Sequence, residues 1–400
     1  MKEISIVEPV FFTQFKCSGG ACRDHCCKGW NIDLDKPTVN RYLKTRDATI
    51  RAIAAENIIT TKKSYKKWGL INVSDNKSCA FMDENRLCSI HSSMGAAALS
   101  PTCAIYPRAE NIFKYHIQKS LTLSCPEAVR QLLSGPEAML FNESKIVKPH
   151  GYNTDSLDQG AQLINLMCST IINSSGTEVE EGLYGIALLF LYLEKLDDDA
   201  EKYEKLEAYY YDIIASLQRG DIKNSINEIE PDHQLQWSLL VRLQGYLGAR
   251  PTSRGWGALN HYAHRLAYIQ SEGLKQNDML QPMQRLRCAW HEKVMPWLSA
   301  HPHIMSNYLK YRIYTDGFPA DRTITPLANL YLLVAEWFLI KSLMAASADL
   351  TGKIDENDMI NILYSFHAVT KHDQISTAAF LQEIEHTKVN DDLSLVYLLK

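Results

Sequence analysis

The sequence is 400 residues long, 46% hydrophobic and 22% charged, which is the make-up of a globular chain with room for two or three domains and a core that needs no staple. A formal net charge of −4 gives no electrostatic footing for nucleic acid, whose binders carry a basic face, so that partner class is set aside. No apolar run of signal-peptide length opens the chain, and the most hydrophobic stretch, 327–346, is interrupted by Glu336 and Lys341; neither secretion nor a membrane span is expected, and the expected compartment is the cytoplasm.

In chain order, Ile4, Ile6 and the run Val10-Phe11-Phe12 predict a short strand before the first cysteines. Those follow as Cys17, Cys22, Cys26 and Cys27, a C-x4-C-x3-C-C run whose Gly-Gly pair lets backbone wrap closely around something. From Lys36 to Asn57, Pro37 near the start and Val39, Tyr42, Leu43, Ile50, Ile53 and Ala54 predict one amphipathic helix. Lys62, Lys63, Lys66 and Lys67 read as a solvated basic loop. Trp68–Val73 and Cys79–His91 predict short strands or a hairpin, with Cys79 and Cys88 on its two arms. A short helix over 93–99 must stop before Pro101, and 112–123 favours a strand. Ser124-Cys125-Pro126-Glu127 matches the S-x-x-E capping box, which places Cys125 at the first helical position, where the helix dipole favours a thiolate.

Beyond Ser134 the character shifts to helical periodicity, over 157–172, 182–196, 199–218, 235–247, 259–270, 282–298, 304–314, 326–348 and 356–367, with linkers at 173–176, 248–257 and 318–325. The chain is therefore expected to be mainly α: a cysteine-rich α+β metal- or cluster-binding domain over 1–140, then an all-α domain over 141–400. Cys168 and Cys288, isolated among apolar neighbours, are expected to be ordinary buried cysteines on helices.

In a reducing compartment, clustered cysteines point to metal or redox chemistry before disulfides. Thiolates suit zinc, copper(I) or iron–sulfur, and one cubane takes four; eight exceed that, leaving open whether the surplus binds a second metal, supports the first site or stays as thiols. A non-catalytic, zinc-stabilised protein-recognition module is an alternative from another class, since four thiolates on a hairpin suit zinc. A disulfide-linked secreted protein is a third reading, with the missing signal peptide against it. No G-x-G-x-x-G follows a strand, and the radical-type C-x3-C-x2-C spacing fails because Gly29 stands at its third position.

Four ordered motifs, C-x4-C-x3-C-C-x2-W, C-x3-D-x4-C-x2-H, P-x-C-x2-Y-P-R and S-C-P-E, run through Cys17, Cys22, Cys26, Cys27, Trp30, Cys79, Asp83, Cys88, His91, Cys103, Tyr106, Pro107, Arg108, Cys125, Pro126 and Glu127. In these the chain resembles the flagellin lysine-N-methylase family, and its cysteine-rich half is similar to a broader group of zinc- or iron-chelating domains. The likeness is close over the first third and general over the helical remainder. It implies an enzyme that moves methyl groups from S-adenosylmethionine to lysine side chains of flagellin, and a 4Fe-4S cluster drawing its ligands from Cys17, Cys22, Cys26, Cys27, Cys79, Cys88, Cys103 and Cys125. Polar transfer then needs a neutral lysine in line with the sulfonium–methyl bond, and so desolvation or a proton acceptor. Tyr106 and Glu127 are the catalytic candidates, with His91 and Asp33 beside them. Arg108 is expected to pair with the cofactor's carboxylate through a bidentate fork, and Trp30 to shield the site and contact the cofactor. The helical domain is expected to bind the substrate protein.

Overall fold

The computed structural model describes residues 1–71, 73, 78–250, 253–276, 278, 280–319, 324–371, 374–387 and 392–400. Residue 72 of the expected strand 68–73, and 251–252 and 320–323 of the expected linkers, lie outside the described residues.

Among the described residues the strands are β1 (Lys2–Pro9), β2 (Ile32–Leu34), β3 (Ile58–Thr60), β4 (Gly69–Ile71), β5 (Arg108–Phe113), β6 (His116–Leu121) and β7 (Phe141–Lys148). They form two sheets, ordered β5-β6-β1-β7 and β2-β4-β3. The alternation of Ile4 and Ile6 makes β1 a strand with one apolar face, and it lies inside its sheet, parallel to β6 and antiparallel to β7. Both isoleucines pack with Ile117. The expected single strand over 112–123 is instead half of a hairpin: Ile112 pairs with Ile117 across Lys114-Tyr115. β7 falls after the expected boundary at 140 and pairs with β1 along all eight of its residues, so that sheet draws on both sides of it.

The expected helix over 36–57 is two helices, Lys36–Leu43 and Ala48–Asn57. Asp47 breaks the run by capping the second, its carboxylate accepting from Thr49 N and Ile50 N at 3.0 Å. These helices and the three-stranded sheet enclose a small core of Ile32, Leu34, Val39, Tyr42, Ile50, Ile71 and Phe81. Cys27, Cys88 and Cys103 pack against it.

The second half is helical, and its expected helices are found with ends shifted by a few residues. The segment 282–298 runs as Leu280–Ala289, a π turn over Trp290–Val294 and Met295–Ser299. Helices Asp221–Glu228 and Gln374–Thr387 were not anticipated. Cys168 is buried as expected; Cys288 is exposed, because it sits on the outer face of its helix while Met283 and Leu286 turn inward.

Among the described residues one helix, Pro326–Thr351, is long and apolar enough to cross a membrane, and its apolar window is wholly buried inside the helical body. That is how a helix hydrophobic all round sits in a protein core. It carries two buried charges, each paired. Lys341 Nζ lies 2.9 Å from Glu180 Oε1. Glu336 takes Arg312 Nη1 at 2.5 Å and also meets Lys371. Burial pushes the Glu336 carboxyl up, but Arg312 and Lys371 outweigh it and hold the group below its usual range.

The two halves share one apolar core, which runs from Phe11, Leu121 and the helix Pro126–Leu133 into the helical body. Asn307 Nδ2 donates to the carbonyls of Leu132 and Gly135 at 3.0 and 2.8 Å, satisfying the end of that helix from the helix His303–Thr315. Tyr314 donates to the Val7 carbonyl at 3.1 Å and holds the sheet on the same helix.

Replacing Glu336 by alanine takes one of two carboxylates from Arg312, 3% exposed, which keeps Asp316 at 2.8 Å; the loss should therefore fall below the ~3–5 kcal/mol of a buried charge left alone, and the denaturant midpoint should fall with an unchanged slope.

Candidate active site and metal centre

The cysteine loop is held from outside. Arg86 Nη2 donates to the Cys22 carbonyl at 2.7 Å, Gln131 Nε2 to the Lys16 carbonyl at 2.8 Å, and Arg23 reaches Asn357 and Asn361 on the helix Glu356–Thr370 at 3.0 and 3.1 Å. The Cys27 carbonyl accepts from Cys79 N at 2.7 Å, and Met82 bridges Cys88, so the first two cysteine groups meet through backbone.

All ten cysteines are free thiols. Cys27 feels the charges of Cys26, Cys79 and Cys88, and Cys103 feels Cys26 and Cys88, so five thiols from three segments share one neighbourhood. Cys22 is influenced by Cys17 and Cys26, and Cys125 by Cys22, so the remaining three thiols join pair by pair rather than at one point. Hydrogen bonding from Cys27 pulls the Cys26 thiol down to about 7 against burial, with Arg254 helping, and Cys27 is pushed up in return. Burial pushes Cys79 up to about 11 and Cys125 up to about 12.

Cys125 departs from expectation in one respect. It is the N-cap of the helix Pro126–Leu133 rather than its first helical residue, without a side-chain cap bond, and no capping box forms with Ser124. The backbone N–H groups of Glu127 and Ala128 favour its thiolate, and burial outweighs them. As donors, unpaired thiols gathered from distant segments fit a thiophilic metal group. As placed, no three His, Cys, Asp or Glu side chains among the described residues are disposed to hold a single metal ion.

Beside the thiols opens a cleft of about 740 Å³, lined by Trp30, Ile105, Tyr106, Arg108, Thr122, Arg250 and Arg254 among others. That lies within the size of small-molecule sites. Trp30 Nε1 donates to the Cys26 carbonyl at 2.7 Å and its ring lies 6.1 Å from that of Tyr106, so two cleft-lining aromatics also adjoin the cysteine loops. Arg108 holds its guanidinium 5.6 Å over the Phe15 ring at the exposed rim. Of the expected non-cysteine residues, the structure thus brings together Trp30, Tyr106 and Arg108.

Glu127 does not join them. Its carboxylate accepts from Arg130 Nη2 at 2.6 Å and Gln131 Nε2 at 2.5 Å on its own helix, outside the cleft lining. Burial pushes it up, and those two partners overcome this to hold it below the usual range. Asp33 pairs with Lys67 at 3.2 Å on β2, and His91 is exposed on the helix Ser89–Met94. Neither lines the cleft.

The residue that sequence reasoning missed is Arg254. Only 5% exposed, it donates through Nη1 to the Asp24 carbonyl at 3.1 Å and through Nη2 to Tyr106 Oη at 2.6 Å and to the Ser124 carbonyl. One guanidinium from the helical half therefore ties the loops of Cys22–Cys26, Cys103–Tyr106 and Ser124-Cys125. The approach requires Gly29, whose φ is +76° and whose hypothetical Cβ would stand 2.6 Å from Arg254 N. Two glycines and an arginine in a turn, Gly29 against Arg254-Gly255, were the available signal; nothing in the sequence joined residues so far apart.

Comparison with known proteins gives the same two halves. Residues 165–398 match the FliB lysine N-methylase C-terminal domain, and residues 16–126 match a zinc- or iron-chelating domain. The chain is 38% identical to the Lysine-N-methylase of Salmonella typhimurium and to that of Salmonella choleraesuis, over 408 aligned residues covering 100% of both chains in each case. It is 50% identical to the Flagellar biosynthetic protein FliU of Salmonella muenchen over 151 residues, 38% of this chain and 89% of that protein. No solved structure matches.

Gly29→Ala should cost more stability than Gly95→Ala. Both have positive φ, at +76° and +80°, but a Cβ at Gly95 meets nothing within 4 Å. Positive φ strains an alanine at either position by about 1–3 kcal/mol, and thermal melts of the pair read the further cost of pushing Arg254 off its three acceptors.

Proposed function

The chain belongs to the FliB lysine N-methylase family, and from that premise we propose that it transfers methyl groups from S-adenosylmethionine to lysine side chains of flagellin in the cytoplasm, with an iron–sulfur cluster as resident cofactor. The observation that carries the reading is a small-molecule cleft whose wall includes Trp30, bonded to the Cys26 carbonyl, and Tyr106, three residues from Cys103, in a half whose cysteines are all unpaired.

The cluster would be held by thiolates drawn from Cys17, Cys22, Cys26, Cys27, Cys79, Cys88, Cys103 and Cys125, and would supply structural closure of these loops or an open position for a ligand's polar end. The remaining steps belong to the chain. The cleft lining carries Arg108, Arg250 and Arg254 and, among the described residues, no carboxylate. Such a wall disfavours an ammonium and favours the neutral amine that attacks the methyl carbon; the bond to sulfur breaks with its electron pair staying on sulfur. Tyr106, fixed by Arg254 at 2.6 Å, orients the reactants, and Trp30 offers an aromatic face. Glu127, spent on Arg130, takes no part.

Anaerobically purified protein should be brown, with iron and acid-labile sulfide, and should add labelled methyl groups from S-adenosylmethionine to flagellin lysines, read by the mass of the substrate. Cys26→Ser and Cys27→Ser should each lose the metal and the transfer, because a hydroxyl replaces a soft thiolate poorly. Colourless protein with stoichiometric zinc and no transfer would establish the recognition-module reading in its place.

A further inference from the structure

Three hydroxyls form a string along the cleft wall. Tyr106 Oη is 3.1 Å from Ser124 Oγ, which is 3.1 Å from Thr122 Oγ1. Distances alone leave the direction of each bond open, and Arg254 fixes it. A guanidinium only donates, so Tyr106 Oη accepts from Arg254 Nη2 and its single hydrogen is left for Ser124 Oγ. Ser124 is fully buried, and among the described residues the hydrogen-bond partners of its hydroxyl are Tyr106 and Thr122. Its hydrogen therefore goes to Thr122 Oγ1, which also lies 3.5 Å from Ser124 N. Thr122 is left with one hydrogen to give, and Thr122 lines the cleft.

A buried cation at one end thus sets a donor at the other. Around that donor the cleft lining offers Arg108, Arg250 and Arg254 and, among the described residues, no carboxylate, while the Trp30 N–H is occupied by the Cys26 carbonyl. Three guanidinium charges with no carboxylate among the described lining residues are complementary to an anion, and in a cleft of this size to the carboxylate of a small molecule. We infer that the Thr122 hydroxyl, aimed by the Arg254–Tyr106–Ser124 string, is the specificity-determining contact of a carboxylate subsite that takes the amino-acid end of the methyl donor. This rests on the reading of S-adenosylmethionine as donor, and it moves the carboxylate from Arg108 at the rim to the inner wall.

The test is equilibrium binding by calorimetry to the full chain purified anaerobically, with two probes: S-adenosylhomocysteine, which carries the carboxylate, and 5′-methylthioadenosine, which lacks the whole amino-acid end. Thr122→Val should weaken S-adenosylhomocysteine about tenfold or more, as befits a hydrogen bond to a charged group, and leave methylthioadenosine unchanged. Thr122→Ser, which keeps the hydroxyl, should bind both as the wild type does. Ser124→Ala, which frees the Thr122 hydroxyl to turn, should give a smaller loss confined to S-adenosylhomocysteine. Equal S-adenosylhomocysteine affinity in wild type and Thr122→Val, or an equal loss for both probes, overturns the subsite. Wild-type protein that binds neither probe overturns the methyl-donor reading, and the subsite with it.

Discussion

A single cation, the guanidinium of Arg254, organises the functional half of this protein. Its three acceptors lie 230, 148 and 130 residues away in sequence and carry the loops on which most of the clustered thiols ride. A buried cation among thiols also has an electrostatic task. Several thiolates in one pocket repel one another, and Arg254 is felt by both Cys26 and Cys125. The helical body thus supplies the cysteine half with a buried positive charge. The shared apolar core, with Asn307 satisfying the end of the helix Pro126–Leu133, keeps that charge in register.

Much of this was legible beforehand, and the reasons differ by element. The helices of the second half announce themselves by apolar spacing, and the thiol groups by a pattern that packing does not require. The hairpin of β5 and β6 was read as one strand because Lys114-Tyr115 offers neither glycine nor proline nor asparagine to mark a turn. β7 escaped notice because Phe141–Lys148 is exposed on nearly every residue, so no alternation of burial is written into it. Its partner β1 has the apolar face; β7 pairs with it along the backbone and adds only Ile146 to that face, with Lys145 bonded to Glu3 at 2.9 Å on the outside.

The site shows the same division. Residues within the cysteine motifs were found by proximity in sequence, and Trp30, Tyr106 and Arg108 do reach one cleft. Glu127 was an inference from position next to Cys125, and helical geometry turned it instead toward Arg130, one turn along. Ser124 was marked only as a helix-capping residue and Arg254 only by the turn glycine after it, while Thr122 carries no local mark. The bonds of Arg254 reach across distant segments, which a linear reading does not contain. Cys288 teaches the converse: apolar neighbours in sequence do not settle which face of a helix a side chain takes.

The central place of β1 bears on how the protein is made. Strand β1 has both its neighbours, β6 and β7, more than a hundred residues downstream, and the thiol-bearing stretch lies between. One side of β1 waits for residue 121 and the other for residue 148, and the arginine that gathers the loops follows about a hundred residues later still. Until then the small core of the cysteine half can shelter Cys27, Cys79, Cys88 and Cys103, whereas the loops of Cys22, Cys26 and Cys125 lack the cation that fixes them.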